Sequence, residues 1–306
     1  MAEYKEIHGT KIRNYTTNPD NPIVGEVWYN DTDNVLKFQY PNVTSAGSWS
    51  TGNSMNTARK EIAGAGIKTA ALVVGGGSAN TELYNGTNWT EVNNMQDARG
   101  ALAAAGTQTS ALAFGGEPTP SNGNKSETWN GTNWTATNNL NTGRYVIGGA
   151  GTDNTAALAY GGYSTTTTGV TELWNGTNWT EVNDMNTARW SFGSSGKLST
   201  ACLAFGGRGL PPNSANTEQW NGTNWTELND MNTARGGVAG FGTYTSALGF
   251  GGYESSPTKL AITELWNGTN WAEQNDLNTA RYQMAGAGAD NSSGIGAGGE
   301  SQPGAS

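Results

Sequence analysis

Short alternations of apolar and polar residues run through most of the chain, and they predict β-strands separated by tight turns. The two large residues of Ala111-Leu112-Ala113-Phe114 stand two positions apart, which places them on one face of a strand. A second strand-like segment, Glu127-Thr128-Trp129, leads into Asn130–Asn133, and another begins at Trp134. Asn-Gly between apolar residues is a strong hairpin signal, because both residues tolerate positive φ. No window carries a sustained 3.6-residue apolar period, so the chain is predicted to be all-β.

The hexapeptide Trp-Asn-Gly-Thr-Asn-Trp repeats at a nearly constant interval. Its copies start at residues 129, 174, 220 and 266, with a near copy at 84, so the steps are 45, 45, 46 and 46 residues. A strand that ends in Gly-Gly precedes each copy, and four strands per ~45 residues is the layout of a β-propeller blade. We interpret the paired tryptophans as packing between blades, with stacking on sugar rings as the alternative. These tryptophans are Trp129, Trp134, Trp174, Trp179, Trp220, Trp225, Trp266 and Trp271.

The two halves of the repeat do not occur in equal numbers. Six segments run from an arginine to a Gly-Gly pair, but only five Trp-turn-Trp segments follow them. The missing half is found near the N-terminus, where Phe38-Gln39-Tyr40 and Gly47-Ser48-Trp49 parallel Glu127–Trp129 and Asn133-Trp134. We therefore predict a six-bladed propeller whose last blade combines residues 281–299 with N-terminal strands from residues 35–51. Such closure removes exposed sheet edges.

The first 34 residues do not fit the repeat, and we predict two regions: an N-terminal arm and hairpin over residues 1–34 and the propeller over residues 35–306. Within the first region, residues 1–25 have no repeat partner and form an extended arm. Glu26–Tyr29 and Val35–Tyr40 flank the polar segment Asn30–Asn34, which predicts a hairpin. The arm is expected to anchor the protein.

Composition and charge narrow the classes of function. The net charge of −9 disfavours nucleic acid as a partner, since phosphate binding requires a basic surface. No apolar run approaches the roughly 18 residues of a membrane span, and Met1–Glu6 lacks the layout of a signal peptide. His8 is the only histidine, so no Ser-His-Asp triad and no zinc or copper site is expected. We expect no cofactor, no metal and no catalysis, although a glycosidase-like pair of carboxylates stays open.

The repeat resembles Kelch-type propellers over residues 35–299. The shared features are the Gly-Gly that ends one strand, the aromatic residue in the next, the tryptophan five residues later and the arginine that opens the following unit. Gly25-Glu26-Val27-Trp28-Tyr29-Asn30, followed by units of the Thr-Ser-Ala-Leu-Ala-Phe-Gly-Gly kind, is similar to virion and tail-fibre proteins of marine, especially cyanobacterial, phages. This resemblance covers nearly the whole chain.

The resemblance implies a non-enzymatic structural protein of a bacteriophage, which acts in host attachment or particle assembly. Its expected location is the virion, after synthesis in the host cytoplasm. Its expected partners are other virion proteins, bound through the N-terminal arm, and a homo-oligomer on the particle is compatible with this role. The alternatives are a lectin-like module that binds a glycan of the host surface and, third, a glycan-cleaving enzyme.

One arginine opens each repeat, and two interpretations of this set are open. The arginines could form a ring that binds acidic sugars or phosphate. Alternatively, each bonds carbonyls of a turn or pairs with a glutamate that also recurs once per repeat, and we favour this scaffold role. The glutamates are Glu82, Glu127, Glu172, Glu218 and Glu264. The arginines are Arg59, Arg99, Arg144, Arg189, Arg235 and Arg281.

The residues that differ between repeats are the candidates for ligand binding. The segments after Gly-Gly vary in length and chemistry, and so does the residue after each arginine, whereas the Asn-Gly turns stay constant. In an up-and-down blade the two variable sets emerge on the same face. Surface loops also tolerate change without function, which is the alternative explanation. The candidate ligand-binding residues are Tyr145, Tyr163, Trp190, Arg208, Tyr253, Lys259 and Tyr282.

Overall fold

The computed structural model describes residues 13–15, 27–32, 34–38, 47–118, 123–209, 213–255 and 258–301. All regular structure in these ranges is β-strand, which confirms the all-β prediction. The chain divides into two compact units, Met1–Gly47 and Ser48–Ser306. The boundary that the sequence predicts at residues 34 and 35 stays a prediction.

The first unit contains a three-stranded sheet. Its strands are β1 (Arg13–Tyr15), β2 (Val27–Asn30) and β3 (Val35–Phe38). Strands β2 and β3 are antiparallel, and Val27 lies opposite Phe38, so the predicted hairpin is confirmed. Strand β1 adds to β2 in parallel. Most of the predicted arm, including His8, lies outside the described residues.

The second unit contains five four-stranded antiparallel sheets, here called blades 1 to 5. Blade 1 contains β4 (Ile62–Ile67), β5 (Ala70–Gly75), β6 (Thr81–Tyr84) and β7 (Trp89–Val92). Blade 2 contains β8 (Ala103–Gly106), β9 (Ala111–Phe114), β10 (Ser126–Trp129) and β11 (Trp134–Thr137). Blade 3 contains β12 (Gly148–Asp153), β13 (Ala156–Tyr160), β14 (Thr171–Trp174) and β15 (Trp179–Val182). Blade 4 contains β16 (Gly193–Leu198), β17 (Ala201–Phe205), β18 (Thr217–Trp220) and β19 (Trp225–Leu228).

Blade 5 and the strands after it complete this unit. Blade 5 begins with β20 (Ala239–Thr243) and β21 (Ser246–Phe250), continues through a small hairpin of β22 (Tyr253–Ser255) and β23 (Thr258–Lys259), and ends with β24 (Thr263–Trp266) and β25 (Trp271–Gln274). Two pairs follow, with β26 (Arg281–Tyr282) paired to β29 (Glu300–Ser301) and β27 (Ala285–Asp290) paired to β28 (Ser293–Ala297).

The repeated turn of the hexapeptide forms the hairpin that joins the two outer strands of a blade. In blade 2, Trp129 lies directly opposite Trp134, and their ring centroids are 5.3 Å apart. Gly131 adopts a φ of +91°, which a residue without a side chain reaches at little cost. The Asn130 Oδ1 accepts backbone N–H bonds from Thr132 and Asn133, at 2.9 and 2.8 Å. The turn is therefore satisfied locally, which explains why it can stay the same in every blade.

The inner strands stand side by side around a central channel. The neighbours are β4, β8, β12, β16, β20 and β27, and β27 in turn lies beside β4. Just before each inner strand, one residue donates its backbone N–H to the backbone carbonyl of the equivalent residue before the preceding inner strand, at 2.7 to 3.3 Å. These six hydrogen bonds form a closed ring. The residues of this ring are Glu61, Ala101, Val146, Ser191, Gly237 and Gln283. The sheet β27–β28 thus holds the position between blades 5 and 1.

The prediction of six complete blades is only partly met, because the described residues contain five four-stranded sheets and a two-stranded sheet in the sixth position. The segment predicted to complete that position includes residues 39–46, which lie outside the described part of the chain. Phe38, the described end of that segment, is paired with Val27.

The core consists of layers between adjacent blades. A tryptophan from the outer strand of one blade packs on an aromatic residue of the previous blade, with ring centroids about 5 Å apart. These pairs are Phe114–Trp179, Tyr160–Trp225 and Phe205–Trp271 at 5.0, 4.9 and 4.8 Å. The indole N–H of each donates to a Ser or Thr hydroxyl of the previous blade, as from Trp179 to Ser126 at 3.1 Å. Large apolar area and a satisfied polar atom together explain the choice of tryptophan.

Candidate binding face at the channel mouth

The repeated arginines are buried within the scaffold. Arg144 is fully buried, and its Nη1 donates to the carbonyl oxygens of Gly161 and Val170 at 2.9 and 2.5 Å. Its Nη2 lies 2.8 Å from the carboxylate of Glu172, which is also fully buried. The same ion pair occurs in blades 1 to 5. The pairs are Arg59–Glu82, Arg99–Glu127, Arg144–Glu172, Arg189–Glu218 and Arg235–Glu264, at 2.7, 2.9, 2.8, 3.1 and 2.9 Å.

These contacts agree with the scaffold interpretation, and the burial of the five arginines keeps them from a ligand. Burial lowers the pKa of Arg144, and the adjacent carboxylate of Glu172 opposes this effect. The same carboxylate accepts bonds from the backbone N–H and side-chain amide of Asn141, which fixes the Asn-Thr-x-Arg turn. Arg281 differs, because its Nη1 donates to the Gly298 carbonyl at 3.0 Å and no carboxylate pairs with it among the described residues.

The two variable sets of residues meet at one mouth of the channel. At five of the six repeated arginines, the residue after the arginine forms a β-bridge with the residue that follows Gly-Gly. The bridged pairs are Gly100 with Glu117, Tyr145 with Tyr163, Trp190 with Arg208, Gly236 with Tyr253, and Tyr282 with Glu300. The sequence reasoning placed these sets on one face, and the structure brings them into direct contact.

Six of the seven candidate ligand-binding residues form a continuous arc, which we call the aromatic crescent: Tyr145, Tyr163, Trp190, Arg208, Tyr253 and Tyr282. Neighbouring rings are 5.6 Å apart for Tyr145–Tyr163, 5.7 Å for Tyr163–Trp190 and 5.4 Å for Tyr253–Tyr282. Arg208 joins the two halves, with its Cζ 4.9 Å from the Trp190 ring and 5.9 Å from the Tyr253 ring. The crescent therefore spans blades 3, 4 and 5 and the sixth position.

The seventh candidate, Lys259, supports the crescent from beneath. Its Nζ donates to a carboxylate oxygen of Glu300 at 2.7 Å and to the carbonyl of Ser301 at 2.6 Å, and its side chain is only 7% exposed. It also lies 5.3 Å from the Tyr282 ring. Glu300 binds Lys60 at 2.6 Å as well, and hydrogen bonds from both lysines lower the pKa of Glu300 to about 2. Lys259 and Lys60 thus share one carboxylate, and the Lys259 ammonium is engaged in bonds within the protein.

Two glycines shape the crescent, and sequence reasoning did not identify them. A Cβ at Gly236 would lie 2.9 Å from the Tyr253 ring and 3.0 Å from Arg208, and one at Gly237 would lie 2.8 Å from Tyr253. Tyr253 can therefore lie across the channel mouth and reach both Arg208 and Tyr282. The sequence contains one sign of their role: a glycine, Gly236, follows Arg235, whereas three other repeats have an aromatic residue after the equivalent arginine.

The part of the mouth formed by blades 1 and 2 is acidic and has small residues. Burial raises the pKa of Glu117, and the nearby charge of Glu61 adds to the effect. Glu61 accepts a bond from the Gln283 amide at 2.9 Å, and both line a channel cavity of about 130 Å³. At the opposite end, the Lys197 Nζ crosses the channel to the Gly66 carbonyl at 2.6 Å. None of the charged or amide side chains named here was singled out from the sequence.

Two features that would indicate other kinds of site are absent from the described part of the chain. It contains no group of three or more histidine, cysteine, aspartate or glutamate residues that could hold a metal ion. It also contains no helix with the length and apolar character of a membrane span.

Comparisons with known proteins identify the fold but not a family. No family model matches the chain, and no curated protein matches it in sequence. Among solved structures, YjhT is similar with a TM-score of 0.70, and the match covers 83% of this chain and 94% of YjhT. The two share 13% sequence identity, so the similarity supports the β-propeller fold alone.

Proposed function

We propose that this protein is a non-catalytic propeller of a bacteriophage particle that acts in attachment or assembly. The observation that carries the proposal is the division of its charged and aromatic residues into two groups. The repeated arginines and glutamates are buried in ion pairs within the blades, whereas the crescent at the channel mouth is the part that differs from blade to blade. The motif resemblance of the chain to phage virion proteins supports the location.

A structural role agrees with how the repeated polar groups are used. Carboxylate pairs of the glycosidase type need two groups that face a substrate, with one of them able to hold a proton. The repeated glutamates instead bind arginines and backbone N–H groups. Incubation with host envelope and measurement of released sugar tests this part: no release is expected, and steady turnover would contradict it.

The proposal includes a Kelch-type ring whose sixth position is completed by N-terminal strands. Trp49 supports this closure, because its ring lies 5.0 Å from Phe250 and its indole donates to the Thr263 hydroxyl at 3.0 Å. Both contacts repeat those between successive blades. A second contact joins the same segment to blade 1, because the side-chain amide of Asn53 donates to the Asn88 Oδ1 at 2.8 Å.

Deletion of residues 26–52 tests the closure. The variant should aggregate, because blade 5 and the sheet β27–β28 would lose their covering segment and present open strand edges. A monomeric variant that melts cooperatively would contradict closure by this segment.

The arm is assigned the role of attachment to other virion proteins. A chain without residues 1–25 should fold and remain soluble, because those residues have no counterpart in the repeat, but it should no longer join the particle. Purified particles that carry the truncated chain at the normal level would refute this assignment.

A second function, recognition of a host-surface glycan, is supported by the crescent itself. Aromatic faces stack on sugar rings, and aromatic and arginine side chains often dominate the energy of a contact. The test replaces Tyr163, Trp190, Arg208 and Tyr253 by Ala, singly and together, and measures adsorption to host cells. Adsorption should fall in the combined variant. A combined variant that assembles and adsorbs like the parent would exclude this face as the receptor site.

A further inference from the structure

Arg208 is held in an unusual position for an exposed arginine. Its guanidinium lies over the Trp190 ring at 4.9 Å and near the Tyr253 ring at 5.9 Å. Backbone bonds in both directions between Trp190 and Arg208, at 2.7 and 2.8 Å, fix the base of the side chain. Because the ring faces contact the plane of the guanidinium, the N–H groups at its edge stay available to donate to a ligand. Stacking also restricts the side chain in advance, so ligand binding costs less conformational entropy.

Arg208 has no carboxylate partner among the described residues, unlike the lysines at this mouth and the five buried arginines. Lys60 and Lys259 both bind Glu300, Lys125 binds Asp97 at 2.7 Å, and five repeated arginines bind glutamates. Within the described residues, the Arg208 guanidinium makes no hydrogen bond and no ion pair. The protein as a whole carries a net charge of −9, whereas Arg208 lies between two aromatic rings with no carboxylate partner in the part of the chain that the structure describes.

We infer that the crescent binds an acidic sugar whose carboxylate pairs with Arg208 while its ring stacks on a neighbouring aromatic side chain. The guanidinium fork matches a planar carboxylate in two parallel hydrogen bonds. Trp190 and Tyr253 flank the fork, and Tyr163 extends the aromatic surface beyond Trp190, with 5.7 Å between these two rings. The inference rests on the second function proposed above and names the class of glycan that it would recognise.

The acidic side of the channel mouth would set the orientation of the bound ligand. Glu61 and Glu117 belong to blades 1 and 2, whereas the crescent belongs to blades 3, 4 and 5 and the sixth position. A carboxylate would be repelled by the first side and attracted by Arg208. Hydroxyl groups of the same ligand can donate to Glu61 and Glu117. A carboxylated sugar chain would therefore bind in one orientation, with its acidic group over blades 4 and 5.

A pair of matched probes tests the inference. Trigalacturonic acid and its fully methylated ester have the same rings, but only the first carries carboxylates. Binding of both is measured by calorimetry to the full-length chain, to Arg208→Gln and to Trp190→Ala. The control is Lys68→Gln, which removes an exposed cation in the turn between β4 and β5, at the opposite end of blade 1. Thermal melting confirms that each variant is folded.

The acid should bind the parent at least about tenfold more tightly than the ester, which corresponds to about 1.4 kcal/mol. Arg208→Gln should reduce this ratio to about one by weakening the acid alone, and Trp190→Ala should weaken both probes. Lys68→Gln should leave the ratio unchanged. Equal binding of acid and ester by the parent, an unchanged ratio in Arg208→Gln, or full competition by inorganic phosphate at equal concentration would overturn the inference.

Cell adsorption by the same variants separates this inference from the function on which it rests. If Trp190→Ala abolishes adsorption but the acid does not bind the parent, the face still recognises a glycan and the carboxylate assignment is wrong. If Trp190→Ala and Arg208→Gln both adsorb like the parent, glycan recognition by this face is wrong as well.

Discussion

The buried ion pair of blade 3 allows a quantitative test of how the scaffold is held together. Arg144 and Glu172 are both fully buried, and the guanidinium also bonds two carbonyl oxygens, those of Gly161 and Val170. Removal of one partner from a buried pair leaves an uncompensated charge and costs about 3–5 kcal/mol. Glu172→Leu and Arg144→Met should therefore each lower the free energy of unfolding by about that amount.

The double variant should cost much less than the sum of the single variants. With both charges gone, the main remaining penalty is the two unpaired carbonyl groups, at about 1–3 kcal/mol each, because water can replace the bonds that Glu172 accepts from the exposed Asn141. The coupling energy between the two sites should therefore reach at least about 2 kcal/mol, well above the few tenths expected for independent sites. Since whole domains have about 5–15 kcal/mol of stability, either single change should be visible at once.

The measurement is urea unfolding followed by tryptophan fluorescence, with the free energy taken from the linear dependence on urea concentration. Arg281→Met is the matched control, because Arg281 occupies the same repeat position but bonds only the Gly298 carbonyl among the described residues. It should cost about 1 kcal/mol. Single variants that cost no more than this control, or additive effects of Arg144→Met and Glu172→Leu, would refute a structural role for the pair.

Three further predictions address other parts of the fold. Trp49→Ala should lower the free energy of unfolding by about 2–3 kcal/mol, somewhat less than Trp134→Ala, because Trp134 is enclosed at the interface between two blades. A variant as stable as the parent in urea would contradict ring closure through Trp49. Burial raises the pKa of the Cys202 thiol and hides it from solvent, so iodoacetamide should label the protein only as fast as it unfolds, and rapid labelling of the native protein would refute this. The pKa of Glu300 is lowered from 4.5 to about 2, so its contribution should be full above pH 4.5 and disappear as the pH falls to about 2. At pH 6 the parent should therefore have a slightly higher melting temperature than Glu300→Gln, and at about pH 2 the two melting temperatures should be equal. A difference that stays the same at both pH values would count against these ion pairs.

Features that repeat were predictable from the sequence, because each of them is satisfied within a blade or by its neighbour in the chain. The Asn130–Asn133 turn, the strand before each Gly-Gly and the partner of Arg144 all follow from a fixed spacing. The β2–β3 hairpin was predictable for a similar reason, since it depends on a local pattern of two apolar segments around a polar turn.

Features that depend on packing across the channel mouth were not predictable. Lys259 was predicted to bind a ligand, and nothing in the sequence indicated that its ammonium bonds Glu300, which is 41 residues away in the chain. The position of Tyr253 depends on the lack of side chains at Gly236 and Gly237 rather than on any feature of the tyrosine itself. The bond between Glu61 and Gln283 joins residues 222 positions apart and exists only because the ring closes.

The same distinction between contacts within a blade and contacts across the channel mouth explains how the mouth can vary without loss of the fold. The groups that hold a blade together, such as Arg144 with Glu172 and Trp179 with Phe114, are buried in the interior and pair with one another rather than with crescent side chains. Crescent side chains are attached through backbone bridges, as between Trp190 and Arg208, whose hydrogen bonds do not depend on the side chain. Substitutions in the crescent should therefore alter recognition with small effects on stability, whereas substitutions in the ion pairs should do the reverse. A scaffold that satisfies its own polar groups in every blade leaves the channel mouth free to differ.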